Sequence, residues 1–150
     1  MNETLEIDGV SLNVLGFCLV PDLSPLLAGS AQRGSDRPVP GSAGVIANRR
    51  RIDVTVVNLE LMIFGANTVA GVAHPDVRTG IYRNLKYLQA NVTNPTGTGD
   101  GTRTATLTWQ GETPVTKPVH VLGSIDTSDA RTTMVRGVLR LSFPQGLFTL

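Results

Sequence analysis

Very little in this chain speaks for a stapled, secreted or membrane-bound fold. One cysteine, Cys18, occurs in 150 residues, so no intramolecular disulfide framework exists. It sits in the apolar run LGFCLV, where a buried, inert thiol is expected and not a nucleophile. Charge is scarce too. Charged residues make up 17% of the chain and the net charge is +1, against about 25% charged residues in an ordinary soluble domain. That balance argues against strong generic binding to nucleic acid, which leaves a pronounced basic excess. It hints at surface that stays covered, as in an assembly subunit. No apolar run approaches the length of a membrane span, so no membrane partner is expected. The opening MNETLEIDG is polar and acidic, unlike a signal peptide, and the sequons at Asn2 and Asn91 carry little weight in consequence.

Catalytic and cofactor motifs are missing as well. GSAGVIANRR lacks the Lys-Ser/Thr pair with which a phosphate loop grips its ligand. There is no G-x-S-x-G elbow, no H-E-x-x-H and no Cys-His zinc spacing. The two histidines, His74 and His120, read as surface or packing residues. The expectation is therefore a chain with no catalytic, cofactor or metal site, and not an enzyme.

What the chain does have is the vocabulary of short strands and turns: Thr and Val 17 times each, 16 Gly and 9 Pro. LEIDGVSL predicts a hairpin turning at Asp8-Gly9, a favoured type I′ pair. FCLV follows as a short strand. Residues 21–44 form a long Pro/Gly/Ser-rich segment without a period, the length of a functional loop or an interaction arm. RIDVTVVNLELMIFG is the strongest strand signal. Its apolar parity changes between Ile52, Val54, Val56 and Leu59, Leu61, Ile63, which predicts a bulge or a strand passing from one sheet to another. One helix is expected over about 75–92, with Val77, Ile81, Leu85, Leu88 and Val92 on its apolar stripe, Pro75 and Asp76 in its first turn, and Gly80 as a weak point. TATLTW, KPVHVLGSID and VRGVLRLSF return to strands. Strands, one helix, then strands, with no βαβ alternation, predict one domain over 1–150. Its class is mainly β, an antiparallel β-sandwich or barrel with one flanking α-helix.

Several residues invite a functional reading. Asp126 and Asp129, three apart, suit a cation or an acid/base pair, yet suit an Asx-turn better. Trp109, Tyr82 and Tyr87 suit stacking on sugar or bases, yet Trp109 continues the inward face of its strand. Arg49, Arg50 and Arg51 suit phosphate contact. Entering a strand, they alternate faces and do not reach one ligand together. They read better as a solvated strand entrance, or as salt-bridge partners across a subunit boundary.

The order of these features resembles the N-terminal, tail-tube-like domain of the distal tail proteins of long non-contractile-tailed bacteriophages. It is carried by IDGVSLNVLGF, RPVPGSAGVIANRRRIDVTVVNLELMIFG, GIYRNLKYLQANV, TATLTW and GVLRLSFPQGLF, from about Ile7 to Phe148. The resemblance implies a structural virion protein of the tail, made in the host cytoplasm. Six copies would form a hexameric ring whose sheets join into an inner barrel between the tail tube and the baseplate or tip. Tape measure protein or viral DNA would occupy the lumen without sequence-specific binding, and there would be no cofactor and no catalytic residue. Main tube or tube-end adaptor proteins of the same fold are an alternative within tails. A small carbohydrate-binding β-sandwich and a DNA binder using the arginines are alternatives outside them. Arg33, Arg37, Pro38, Pro40, Arg49, Arg50 and Arg51 are the expected subunit-interface residues, on the arm that leads into the long strand.

Overall fold

The computed structural model describes residues 3–28, 54–93, 101–128 and 133–148, and the backbone alone of residues 32–33, 37–38, 45–46 and 51–52. Strands β1 (Thr4–Ile7) and β2 (Val10–Ser11) form the expected hairpin. Asp8 and Gly9 both have positive φ, 51° and 82°, as a type I′ turn requires. β3 (Cys18–Leu19) and a 3-10 turn at Ser24–Leu27 follow. Between Gln32 and Ile52 the chain folds back on itself: β4 (Gln32–Arg33) and β5 (Arg37–Pro38) are followed by β6 (Val45–Ile46) and β7 (Arg51–Ile52). β4 pairs antiparallel with β7, and β5 with β6.

The body is a curled antiparallel sheet. To β1, β2 and β3 it adds β8 (Thr55–Phe64), β9 (Arg103–Thr108), β10 (Val115–Val121), β11 (Asp126–Ser128) and β12 (Met134–Phe143). The order is β2-β1-β9-β10-β12-β8-β3, with β11 also on β12. Val115 to Val119 of β10 pair with β9, and His120 and Val121 pair with β12. β10 is thus the strand that passes from one half of the sheet to the other.

That corrects the expectation for β8. It runs beside β12 in one unbroken register from Thr55↔Phe143 to Phe64↔Met134, with no bulge and no change of sheet. Val57, Leu59, Leu61 and Ile63 are buried, as are Leu139 and Leu141 opposite Leu59 and Val57, and Phe143 opposite Thr55. The parity change in the sequence has another cause: Val54 and Val56 are apolar residues on the outer face, 48% and 54% exposed.

The helix α1 (Val77–Leu88) continues into a π-helical turn, Gln89–Thr93. Asp76 caps it, accepting from the Thr79 N–H at 3.2 Å and the Thr79 hydroxyl at 3.1 Å. These bonds hold the Asp76 carboxyl below the usual range. The buried stripe differs from the expected one. It runs through Gly80, Asn84, Leu88 and Val92, whereas Val77 is exposed and Ile81 and Leu85 are half-buried. The reason is close backbone approach. A Cβ on Gly80 would strike the Gly65 carbonyl, and one on Gly65 would strike that of Val77. Gly80, a weak point by propensity, is where the helix meets the end of β8.

Candidate functional site

Among the described residues, no group of three or more His, Cys, Asp or Glu side chains gathers as a metal site would. Cys18 is fully buried, and burial pushes its thiol up to about 12, so it stays protonated and unreactive. His74 is a tie within the fold. The Asn84 amide nitrogen donates to the carbonyls of Phe64 at 2.7 Å and Asn67 at 2.8 Å. Its Oδ1 therefore accepts, at 2.8 Å, from Nε2–H of His74. One buried amide so binds the helix, the end of β8 and the following loop. Asp126 is exposed on β11, and its sequence partner Asp129 lies outside the described residues.

The aromatic candidates do not converge. Trp109 is half-buried against the core, Tyr87 meets Phe17 edge-to-face at 5.9 Å, and Tyr82 is 65% exposed on the helix. Of the expected interface residues, Arg33, Arg37, Pro38 and Arg51 lie on the paired segments β4, β5 and β7. Arg33 is the register partner of Arg51, and Pro38 of Val45. Pro40, Arg49 and Arg50 lie outside the described residues.

The surface with the character of an interaction site is the outer face of β8 and β12. In register across it stand Val56 and Ser142, Asn58 and Arg140, Glu60 and Val138, Met62 and Arg136. Arg140 Nε donates to Asn58 Oδ1 at 3.2 Å, and Arg136 Nη1 lies 3.3 Å from Glu60 Oε1. Both contacts are exposed and add little stability. Val54, Val56 and Val138 stand in solvent among them. The sequence signal for this surface was the parity change itself: valines out of phase with the buried leucines.

Two features were not legible in the sequence. One is the Asn84 tie. The other is a clamp in which Arg103, 8% exposed, donates from Nη1 to Asp8 Oδ2 at 2.8 Å and to the Asn91 carbonyl at 2.9 Å. Both depend on side chains far apart in sequence.

No protein-family model and no curated protein matches the chain. Among solved structures the chain is similar to the SPP1 Dit protein (gp 19.1), described as a paradigm of the hub adsorption apparatus in phages that infect Gram-positive bacteria. The match has a TM-score of 0.60 at 14% identity, over 96% of this chain and 50% of that one. The chain thus spans about half the length of the Dit protein it matches. At this identity the likeness concerns the fold: a mainly antiparallel β fold of the phage-tail type with a curled sheet and one helix.

Proposed function

We propose that the chain is a structural subunit of a phage tail, forming a ring at its distal end that joins the tail tube to the baseplate or tip and contributes to the DNA conduit. The observation that carries this reading is the match of 96% of the chain to the SPP1 Dit fold. The low charge and the exposed valines beside a sheet edge support it, because both suit a surface that another subunit covers. The role is structural and not enzymatic. A main tube or tube-end adaptor protein of the same fold is the second reading, and copy number per virion separates the two.

In the ring, the fold-back segment from Gln32 to Ile52 is the arm that reaches a neighbouring copy, with Arg33, Arg37, Pro38, Pro40, Arg49, Arg50 and Arg51 as its contact residues. Arg33 and Arg51 are register partners on the paired segments β4 and β7. Native mass spectrometry and electron microscopy of the purified chain should show rings, hexameric by the family resemblance. Deleting residues 33–44 should leave a folded monomer that forms none. A strictly monomeric protein absent from virions sinks the reading. Rings that persist after the deletion reduce the arm to a connector.

A further inference from the structure

Trp109 closes one end of the core, and closes it incompletely. It continues the inward face of β9 after Ala105 and Leu107 and is half-buried. Its carbonyl accepts from the Glu112 N–H at 2.9 Å, and Gly111, with φ 76°, completes the tight turn toward β10. Two clefts meet at the indole. One, of about 280 Å³, has Leu27, Leu107 and Phe148 as its apolar wall and Glu112 and Thr113 on its polar side. The other, of about 200 Å³, lies between Glu3 and the turn that carries Pro21, Asp22 and Ser24. Trp109 is the residue common to both. Each is smaller than the roughly 300–1,000 Å³ pocket of a drug-sized ligand and suits a single ring.

The polar groups around the indole are left over by the fold. Asp22 Oδ1 accepts from the Ser24 hydroxyl at 2.6 Å and the Ser24 N–H at 3.0 Å, bonds that hold the carboxyl below its usual range and so keep it charged. Its second oxygen has no partner among the described residues. Neither do the carboxylates of Glu3 and Glu112, the Thr113 hydroxyl or the indole N–H of Trp109. No Lys or Arg lines either cleft.

We infer that Trp109 is the platform of a binding site for a neutral oligosaccharide, with one sugar ring in each of the two clefts. A pyranose presents an apolar C–H face and a rim of hydroxyls. The indole and the wall of Leu27 and Phe148 take the face, as an amphipathic aromatic at a wet boundary does. The carboxylates of Asp22 and Glu112 accept from the hydroxyls, in charge-assisted bonds roughly twice as strong as neutral ones. The indole N–H and the Thr113 hydroxyl donate in return. A nucleotide would offer the same indole a ring, but Glu3, Asp22 and Glu112, with no cation among them, repel its phosphate. Acidic sugars are turned away on the same ground. A single copy of the chain carries the whole site, so binding does not depend on the ring.

The test uses the chain's single tryptophan as its reporter. Titration of the full chain with cellotetraose, maltotetraose and tetra-N-acetylchitotetraose should shift the Trp109 emission saturably for at least one of them. The matching monosaccharide fills one cleft only and should bind about tenfold more weakly or worse. Glu112→Gln and Asp22→Asn, both at exposed positions, should keep the melting of the unaltered chain. Each should weaken binding about tenfold, as the loss of one hydrogen bond to a charged group does. No change of emission with any of the three tetrasaccharides overturns the site, and so does binding that both variants leave intact. A stronger response to argininamide than to every sugar makes the clefts a cation site and overturns the saccharide assignment.

Discussion

In the half of the sheet built from β1, β2 and β9, the described polar side chains are tied to one another; in the half built from β8, β11 and β12, valines and charged side chains stand exposed. Asp8 closes the first hairpin, accepts from the Thr104 N–H at 2.9 Å and holds Arg103. The outer face of that half is hydroxyl-lined, with the Thr106 and Thr116 oxygens 3.2 Å apart. Threonine on a strand suits both the pleat and water. The other half presents exposed valines, one exposed ion pair and an exposed Arg140–Asn58 hydrogen bond. Under the ring proposal, this is the half that a neighbouring copy covers.

Adjacent residues of β12 carry opposite expectations. Leu139→Ala, on the buried face, should cost about 3 kcal/mol of monomer stability through lost burial and a cavity. Val138→Thr, one residue away on the open face, should stay within about 0.5 kcal/mol while weakening ring formation. Denaturant titration and native mass spectrometry read the two effects. If Val138→Thr unfolds the monomer, the open face is a core after all.

Next in size is the tied half. Asp8→Ala leaves the buried Arg103 without its carboxylate and should cost about 2 kcal/mol, less than a fully buried pair because Asp8 is about a third exposed. A loss indistinguishable from zero would show that the clamp is ornamental.

The smallest effect is also the most diagnostic in sign. By helix propensity Gly80→Ala should gain about 1 kcal/mol. Against the Gly65 carbonyl it should instead lose about 1–2 kcal/mol, as overpacking does, because the obstacle is backbone that has nowhere to move. Thermal melting settles the sign.

These contrasts trace how far the sequence is readable. The Asp8-Gly9 turn, the alternation in TATLTW and the start of α1 were legible because each is decided by neighbours within a few residues. The course of β8 was not. Its parity change was visible, but a bulge and an exposed valine pair write the same pattern, and only the register with β12 separates them. The helix stripe failed for a related reason. Apolar spacing finds side chains that seek a core, whereas Gly80 and Asn84 are buried by close approach and by hydrogen bonds to carbonyls. For the candidate site, the arm and its arginines drew attention by composition. That β3 pairs with β8 only at Met62 and Ile63 among the described residues has no signature in composition at all.

The Asp8–Arg103 tie also sets a timetable. It spans 95 residues of sequence, and β1 has its long-range partner only in β9, through pairs such as Leu5↔Leu107. At roughly 5–20 residues per second, synthesis of the intervening chain takes about 5–20 s. The β1–β2 hairpin closes in microseconds by its turn alone, and then waits with Leu5 and Ile7 uncovered. A two-stranded hairpin is marginal in water, so the nascent chain carries β1 unshielded until β9 has been made. β1 is thus paired only once β9 has been made, and β8 waits longer still, for β12.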